Sequence, residues 1–142
     1  MTSRLLSLTL LAAVTAACGD DTATSPTDTD TAATATQVTY TGTIDVGGSR
    51  FYSFTNSAAG SVTAFLASVT APDTRLPVST ALEMGVGVPA GTDCATTTTQ
   101  IVSPSLASQM TVSLAAGVFC LRVADAGELK APVTFAVRFT HP

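Results

Sequence analysis

Apolar and polar residues alternate along most of the chain after residue 37. The alternation is clearest in Val38–Val46 and in Val133–Thr140, where apolar residues occupy most of the second positions. Because successive side chains of a strand point to opposite faces, this pattern predicts strands with one buried face. The predicted strands lie in Val38–Val46, around Tyr52–Phe54, and in Ser61–Thr70, Leu76–Val88, Thr92–Val102, Ser105–Ala115, Gly117–Val123 and Val133–Thr140.

Three of these segments carry further information about their place in a sheet. Ser61–Thr70 has Val62, Ala64 and Leu66 on one face and Phe65, Ala67 and Val69 on the other. Apolar side chains on both faces predict a central strand. Gly117–Val123, Gly-Val-Phe-Cys-Leu-Arg-Val, is also predicted to be central, and Thr92–Val102, with its four consecutive threonines, to be exposed or at an edge.

Turn signals separate the predicted strands. Gly47-Gly48 predicts a tight turn, and Pro89–Gly91 predicts another. The signals recur about every ten residues, which is typical of an all-β antiparallel sandwich or barrel. No segment shows the periodicity of an amphipathic helix of about ten residues or more.

Four short segments resemble a known family. They are Gly42–Ile44, Arg50–Phe54, Gly60–Val62 and Gly117–Val123, and together they resemble the bacterial pre-peptidase C-terminal domain over most of residues 38–142. The resemblance implies that the roughly eight predicted strands form a jelly-roll-like β-sandwich, which usually serves secreted proteins as an accessory, non-catalytic module. Residues 1–142 are not expected to include a peptidase domain, which departs from the usual setting of the family. Some relatives bind calcium through acids near the domain start, but Val38–Thr43 has none, so those ligands are not carried over.

The first residues predict export. In Met1–Ala17, Arg4 supplies a positive charge, Leu5–Val14 is apolar, and Thr15–Ala17 are small, as in a signal peptide. The apolar run is well short of the roughly 20 residues that a membrane-spanning helix needs.

Cys18 is the predicted site of lipid attachment. Thr15–Cys18 resembles the lipobox of bacterial lipoproteins, whose cysteine is acylated, although threonine departs from the leucine or valine usual at the first position. The alternative is an ordinary cleaved signal that leaves Cys18 a free thiol. The cysteine count of three favours lipidation, because it leaves Cys94 and Cys120 to form a disulfide in an oxidising compartment.

The pairing of Cys94 with Cys120 is predicted to be structural. A redox role is the alternative, but the two are not in a Cys-x-x-Cys motif and have no evident thiolate-stabilising neighbour. Residues 18–37 are rich in threonine, alanine and aspartate, which predicts a disordered tether before the domain at 38–142. O-linked sugars on the tether's threonines are an alternative to a plain spacer.

Charge excludes one class of partner. Only 11% of residues are charged and the net charge is −4, so no basic stripe is present to bind nucleic acid. We predict no cofactor. His141 is the sole histidine, which leaves no zinc site and only a weak basis for a hydrolase. Calcium at the loop acids is an open alternative; these acids are Asp73, Asp93, Asp125 and Glu128.

The expected function follows from these features. We expect a membrane-anchored, non-enzymatic binding module of the bacterial cell envelope, on its periplasmic or cell-surface side, with an envelope protein or polysaccharide as partner. The alternatives are a structural envelope lipoprotein without a specific ligand and a small hydrolase. Phe51 and Phe65 are the outward aromatic candidates for a glycan platform, and the arginines expected only to solubilise the outer faces are Arg75, Arg122 and Arg138.

Overall fold

The structure, a computed structural model, describes residues 34–142 and is all-β within them. Its eight strands are β1 (Thr36–Ile44), β2 (Ser49–Asn56), β3 (Gly60–Thr70), β4 (Leu82–Ala90), β5 (Asp93–Val102), β6 (Met110–Leu114), β7 (Gly117–Asp125) and β8 (Val133–His141). Each predicted strand segment corresponds to one of them, so the periodicity found the elements correctly.

The strands form two four-stranded antiparallel sheets. Sheet A has the order β1-β8-β3-β6, and sheet B has the order β2-β7-β4-β5. Consecutive strands alternate between sheets for most of the chain, which is the topology of a jelly roll, so the predicted fold class is confirmed. β7 lies between β2 and β4, β3 lies between β8 and β6, and β5 is an edge strand, as their sequences predicted.

The core lies between the inner faces of the two sheets. β8 illustrates how the alternation produces it, because Val133, Phe135, Val137 and Phe139 are buried while Arg138 is exposed on the outer face. In sheet B the corresponding inward residues include Leu82, Met84, Val86, Leu121 and Val123. Burial of these apolar side chains is the main source of stability for the sandwich.

A β-bulge in β3 corrects one predicted orientation. Val69 was expected on the outer face with Phe65, but it is buried at 2% exposure. The register of β3 against β8 shifts between Leu66 and Ser68, so one extra residue turns the rest of the strand over. A period-two pattern cannot show such an insertion.

Two predicted segment ends are also corrected. Val46 was expected to point inward, but β1 ends at Ile44 and Val46 is 56% exposed in the turn that follows. β4 continues through Pro89 and Ala90, so the turn begins only at Gly91, whose φ of +62° suits glycine.

The N-terminal predictions lie outside the described residues. These are the signal peptide, the lipid site at Cys18 and the tether up to residue 33. β1 begins at Thr36, two residues before the predicted domain start at Val38. Within residues 34–142 no helix is long and apolar enough to cross the bilayer.

Side chains of β2 close one lateral side of the sandwich. β1 and β2 are edge strands of opposite sheets, joined by a turn in which Gly48 N–H donates to the Asp45 carbonyl. Tyr52 Oη donates to the Thr41 carbonyl at 2.7 Å, and Arg50 Nε donates to the Thr43 carbonyl at 3.1 Å. We call this the closed side.

An aromatic cluster lies behind these hydrogen bonds. Tyr40 and Tyr52 stack with ring centroids 4.6 Å apart, and Phe139 packs edge-on against Phe54 at 4.5 Å. Such contacts stabilise the fold beyond the apolar area that they bury. Burial raises the pKa of both Tyr40 and Tyr52, with Arg50 partly opposing the rise at Tyr52.

Candidate binding groove beside strand β3

The opposite lateral side, formed by β5 and β6, is built differently, and we call it the open side. β6 has five residues and pairs only with the Gly60–Ala64 half of the eleven-residue β3. The remaining edge of β3 is bordered by two loops. Ser105 N–H donates to the Leu66 carbonyl at 2.8 Å, and Val78 N–H donates to the Val69 carbonyl at 2.9 Å.

A groove of about 480 Å³ lies between these two loops, with the edge of β3 as its floor. Its lining is uncharged and mostly apolar, with several hydroxyl groups, and consists of Ala67, Ser68, Val69, Thr70, Pro77, Val78, Ser79, Ser103 and Pro104. The volume is that of a small ligand site or of a recess for a partner's side chains. The groove is therefore suited to an apolar or neutral polar group.

An exposed leucine stands on each loop beside the groove. Leu76 in the β3–β4 loop is 64% exposed, and Leu106 in the β5–β6 loop is 90% exposed. The first loop is compact, since Arg75 N–H donates to the Ala71 carbonyl and Ala71 N–H to the Leu76 carbonyl, each at 2.9 Å. Arg75 has φ of +58°, a left-handed conformation that costs a non-glycine residue about 1–2 kcal/mol.

The loop acids do not gather into one cluster within the described residues. No group of three or more acids, histidines or cysteines with metal-binding geometry occurs in the part of the chain from Thr34 to Pro142. Asp73 and Glu128 border two adjoining recesses, which share Ala71, Ala131 and Pro132. The geometry thus does not support the calcium alternative.

Asp125 instead organises two loops at the end of the closed side. Its Oδ2 accepts a hydrogen bond from Gly47 N–H at 2.8 Å, and its Oδ1 accepts from the N–H groups of Gly127, Glu128 and Leu129. These bonds, with Gly47 the largest contributor, hold the pKa of Asp125 below its ordinary value. Its role is to join the β1–β2 turn to the β7–β8 loop.

The predicted disulfide is present and fastens the open side. Cys94 on β5 is bonded to Cys120 on β7, and both residues are buried. β4 lies between those two strands, so the start of β5 must bend across its outer face. Gly87 makes this possible, because a Cβ there would collide with the Ala95 carbonyl oxygen.

Arg122 was predicted only to solubilise an outer face, but it also forms an ion pair. Arg122 Nη1 is 2.9 Å from Glu83 Oε1, and its Nε is 3.8 Å from Asp93 Oδ1. The side chain is only 27% exposed, and the pair connects β7 with β4. Asp93, one of the candidate calcium ligands, therefore lies next to a cation. Arg138 and Arg75 are exposed as expected.

His141, the weak basis for a hydrolase, packs against the aromatic cluster behind the closed side. It is half-buried, with its ring 5.4 Å from that of Phe54 and 5.7 Å from that of Phe139. Its Nδ1 lies 3.1 Å from the Pro142 carbonyl oxygen. The imidazole thus extends the aromatic cluster and contacts a main-chain carbonyl, which is not the arrangement of a catalytic base activating a serine.

The two candidate platform aromatics lie on opposite sides of the molecule. Phe51 is on the outer face of sheet B, paired with Arg122, and Phe65 is on the outer face of sheet A, paired with Arg138. Both are half-buried. Because they are on different sheets, they cannot form one platform for a glycan.

The groove itself was not found from the sequence. Its residues come from β3 and from two loops far apart along the chain, and no motif marks them. The available signals were Pro77 and Pro104, which end strand pairing, and the apolar residues at Leu76 and Leu106, which follow no strand pattern.

Comparison with known proteins leaves the family open. A scan against protein-family models and a search among curated proteins both give no match to this chain. The resemblance to the pre-peptidase C-terminal domain therefore stays a prediction.

Proposed function

We propose that this protein is a lipid-anchored, non-enzymatic binding module of the bacterial cell envelope, related to pre-peptidase C-terminal domains, and that the groove beside β3 is its binding site. The observation that carries the proposal is the groove, which combines an uncharged lining with an exposed leucine on each flanking loop. Exposed apolar residues grouped around a recess are typical of interaction sites.

The disulfide supports the compartment in this proposal. Disulfides persist in oxidising environments outside the cytosol, and Cys94–Cys120 closes a span of 26 residues in the folded domain. An acylated Cys18 would hold that domain at a membrane surface and raise its effective concentration for any partner located there. One acyl chain binds only marginally, so stable attachment needs the additional chains of a mature lipoprotein.

A binding assay that compares the wild type with a groove-blocking variant tests the role of the groove. The full chain, solubilised from membranes in detergent, is offered envelope proteins and isolated cell-wall glycans, with Ser79→Trp as the blocking variant. Ser79 lines the groove and is exposed, so tryptophan there fills the recess without disturbing the core. Val46→Trp is the matched control, because Val46 is 56% exposed in the β1–β2 turn.

We expect saturable binding that Ser79→Trp weakens at least tenfold and that Val46→Trp leaves unchanged. A partner that binds both variants equally would show that the groove is not the site. With all three chains folded and no saturable partner found, the structural envelope lipoprotein becomes the better interpretation.

Metabolic labelling tests the anchor separately. Cells expressing the chain are grown with a radiolabelled or clickable palmitate, and Cys18→Ser is the control. We expect label on the wild-type chain and none on the variant. A wild-type chain that carries no label and is released into the soluble fraction would contradict lipid anchoring.

A further inference from the structure

We propose that the partner in the groove beside β3 is a second copy of this chain, bound through a two-fold interface in which Leu106 of each copy enters the groove of the other. This inference rests on the proposed function, because it names the partner of the same site.

The first argument is that the group to be buried and the recess lie side by side on one surface. Leu106 is 90% exposed, the highest value among the exposed large apolar side chains of residues 34–142. Pro104, two residues earlier, lines the groove, and Ser105 N–H is bonded to the Leu66 carbonyl on the groove's floor strand. A two-fold interface needs one surface that carries both members of the contact, since residue i meets j and j meets i.

The second argument is that Leu106 cannot occupy its own groove. Ser105 is fixed to the edge of β3 by the 2.8 Å hydrogen bond, and Ser103 and Pro104 form the groove wall. Leu106 is 90% exposed and is not among the residues that line the recess its own loop helps to build. A second molecule is the nearest source of a matching leucine, because it carries the same loop at the same place.

The third argument is electrostatic. A two-fold contact sets equal charges against each other at its axis, and that repulsion disfavours charged surfaces in self-association. All nine lining residues of the groove are uncharged, and so are all residues from Ser103 to Gln109 in the loop that carries Leu106. Only Arg75 and Asp73 are charged in the facing loop, and they have opposite signs.

The fourth argument concerns the neighbouring edge strand. From Ala95 to Val102, β5 has neither charge nor proline, and Ile101 is 62% exposed. Natural edge strands usually carry charged residues or proline, which prevent pairing with other chains. The same side of the molecule thus offers additional uncharged surface to extend a contact centred on Leu106.

A photo-crosslinking experiment in cells tests the contact with the full chain. A benzophenone-bearing amino acid is introduced at position 106, or at position 46 as the control, and intact cells are irradiated. Both positions are exposed, so neither replacement disturbs packing. We expect a covalent dimer from position 106, at least tenfold more than from position 46, with the crosslink mapped by mass spectrometry to residues 67–79 of the second copy.

Differently tagged copies give an independent test by charge exchange. Leu106→Glu and Ser79→Lys, each expressed alone, should reduce co-purification of two tagged copies at least tenfold, since each places a charge in an apolar contact. Co-expression of the two variants should restore co-purification of differently tagged copies. In the mixed dimer, the glutamate of one copy meets the lysine of the other, and the second contact keeps the native Leu106 and Ser79. Val46→Glu should have no effect.

The outcomes separate this proposal from the proposed function. A crosslink from position 106 to a different protein, or charge variants that co-purify like the wild type, would refute the second copy. If that different protein's binding is also lost in Ser79→Trp, the groove remains a binding site. If position 106 yields no crosslink to any protein and Ser79→Trp changes nothing, both proposals fail.

Discussion

On both the closed side and the open side of the sandwich, the edge strands of two different sheets lie next to each other, and the gap between the sheets must be covered. On the closed side, side chains of β2 donate hydrogen bonds directly to carbonyl groups of β1. On the open side, β6 is too short to cover β3, and two loops that connect the sheets border the rest of β3 instead. The disulfide on this side holds β5 to β7 within sheet B. The difference shows that a jelly roll leaves room for a groove where strand lengths are unequal.

The two sides also differ in what remains exposed. Behind the closed side, Tyr40 and Tyr52 stack and bury most of their surface against the core. On the open side, Ile101 and Leu106 remain exposed beside an uncharged groove. Apolar surface left in this way is more consistent with an interface than with a solvated edge.

Removal of the disulfide should have the largest effect and should act on the open side. Cys94→Ala combined with Cys120→Ala frees β5 from β7 across a span of 26 residues. The loop-entropy model puts the loss at about 3–4 kcal/mol in the free energy of unfolding, measured by urea denaturation. Reduction of the wild-type chain should bring its midpoint close to that of the variant. A midpoint unchanged by either treatment would mean that the bond contributes little.

The next largest effect is expected at the bend of β5. Gly87→Ala places a Cβ against the main-chain oxygen of Ala95, so the strand itself must move, at a cost of about 1–3 kcal/mol. Gly85→Ala is the comparison, since its Cβ would meet the Thr96 methyl at 2.6 Å and the Thr99 methyl at 3.0 Å. Denaturation of each variant gives the values.

A second substitution distinguishes the side-chain collision at position 85 from the main-chain collision at position 87. Thr96→Ser removes the methyl group that is nearest to the added Cβ at position 85. It should therefore recover part of the stability lost in Gly85→Ala and none of that lost in Gly87→Ala. Equal recovery in both backgrounds would show that a main-chain collision at Gly87 does not limit the bend.

A smaller effect is expected when the closed side loses one hydrogen bond. Tyr52→Phe removes the donor to the Thr41 carbonyl while keeping the aromatic ring, and should lower the free energy of unfolding by about 1 kcal/mol. Tyr40→Phe keeps both the stack and this hydrogen bond, so it serves as the matched control. If the two variants are equally stable, the bond from Tyr52 contributes nothing to closing this side.

The last prediction concerns pH at the end of the closed side. Because the pKa of Asp125 in the folded protein is below its ordinary value of 3.8, its contribution is complete above about pH 4 and is lost as pH falls through the lower folded pKa. Asp125→Asn should be less stable than the wild type at pH 7. The difference between the two unfolding free energies should shrink as the pH falls below about 4.

An exposed loop carboxylate provides the control for the pH series. Asp73→Asn should change the unfolding free energy little at either pH, since Asp73 is exposed on the β3–β4 loop. A gap between the wild type and Asp125→Asn that stays constant from pH 7 to about pH 2 would argue against the carboxylate charge as its cause.

Local pattern was sufficient for the elements of this fold. Most strands of residues 34–142 were predictable from alternation, because one face of such a strand points to the core and the side-chain period of a strand is two. β5, with its four consecutive threonines, does not alternate. The central position of β3 was predictable from apolar residues on both of its faces, and that of β7 from its largely apolar sequence. The edge position of β5 was predictable from its four consecutive threonines. The pairing of Cys94 with Cys120 was predictable from the count of three cysteines together with the prediction that Cys18 carries lipid.

Tertiary structure decided everything that depends on residues distant along the chain. The bulge that buries Val69, the packing of His141 on Phe54, and the ion pair of Arg122 with Glu83 each arise from register or from contact between strands. The groove is of this kind as well, because its walls come from β3, Pro77–Ser79 and Ser103–Pro104. Alternation records only which face a residue occupies on its own strand, so the length of β6 relative to β3, which opens the groove, becomes visible only once the strands are paired.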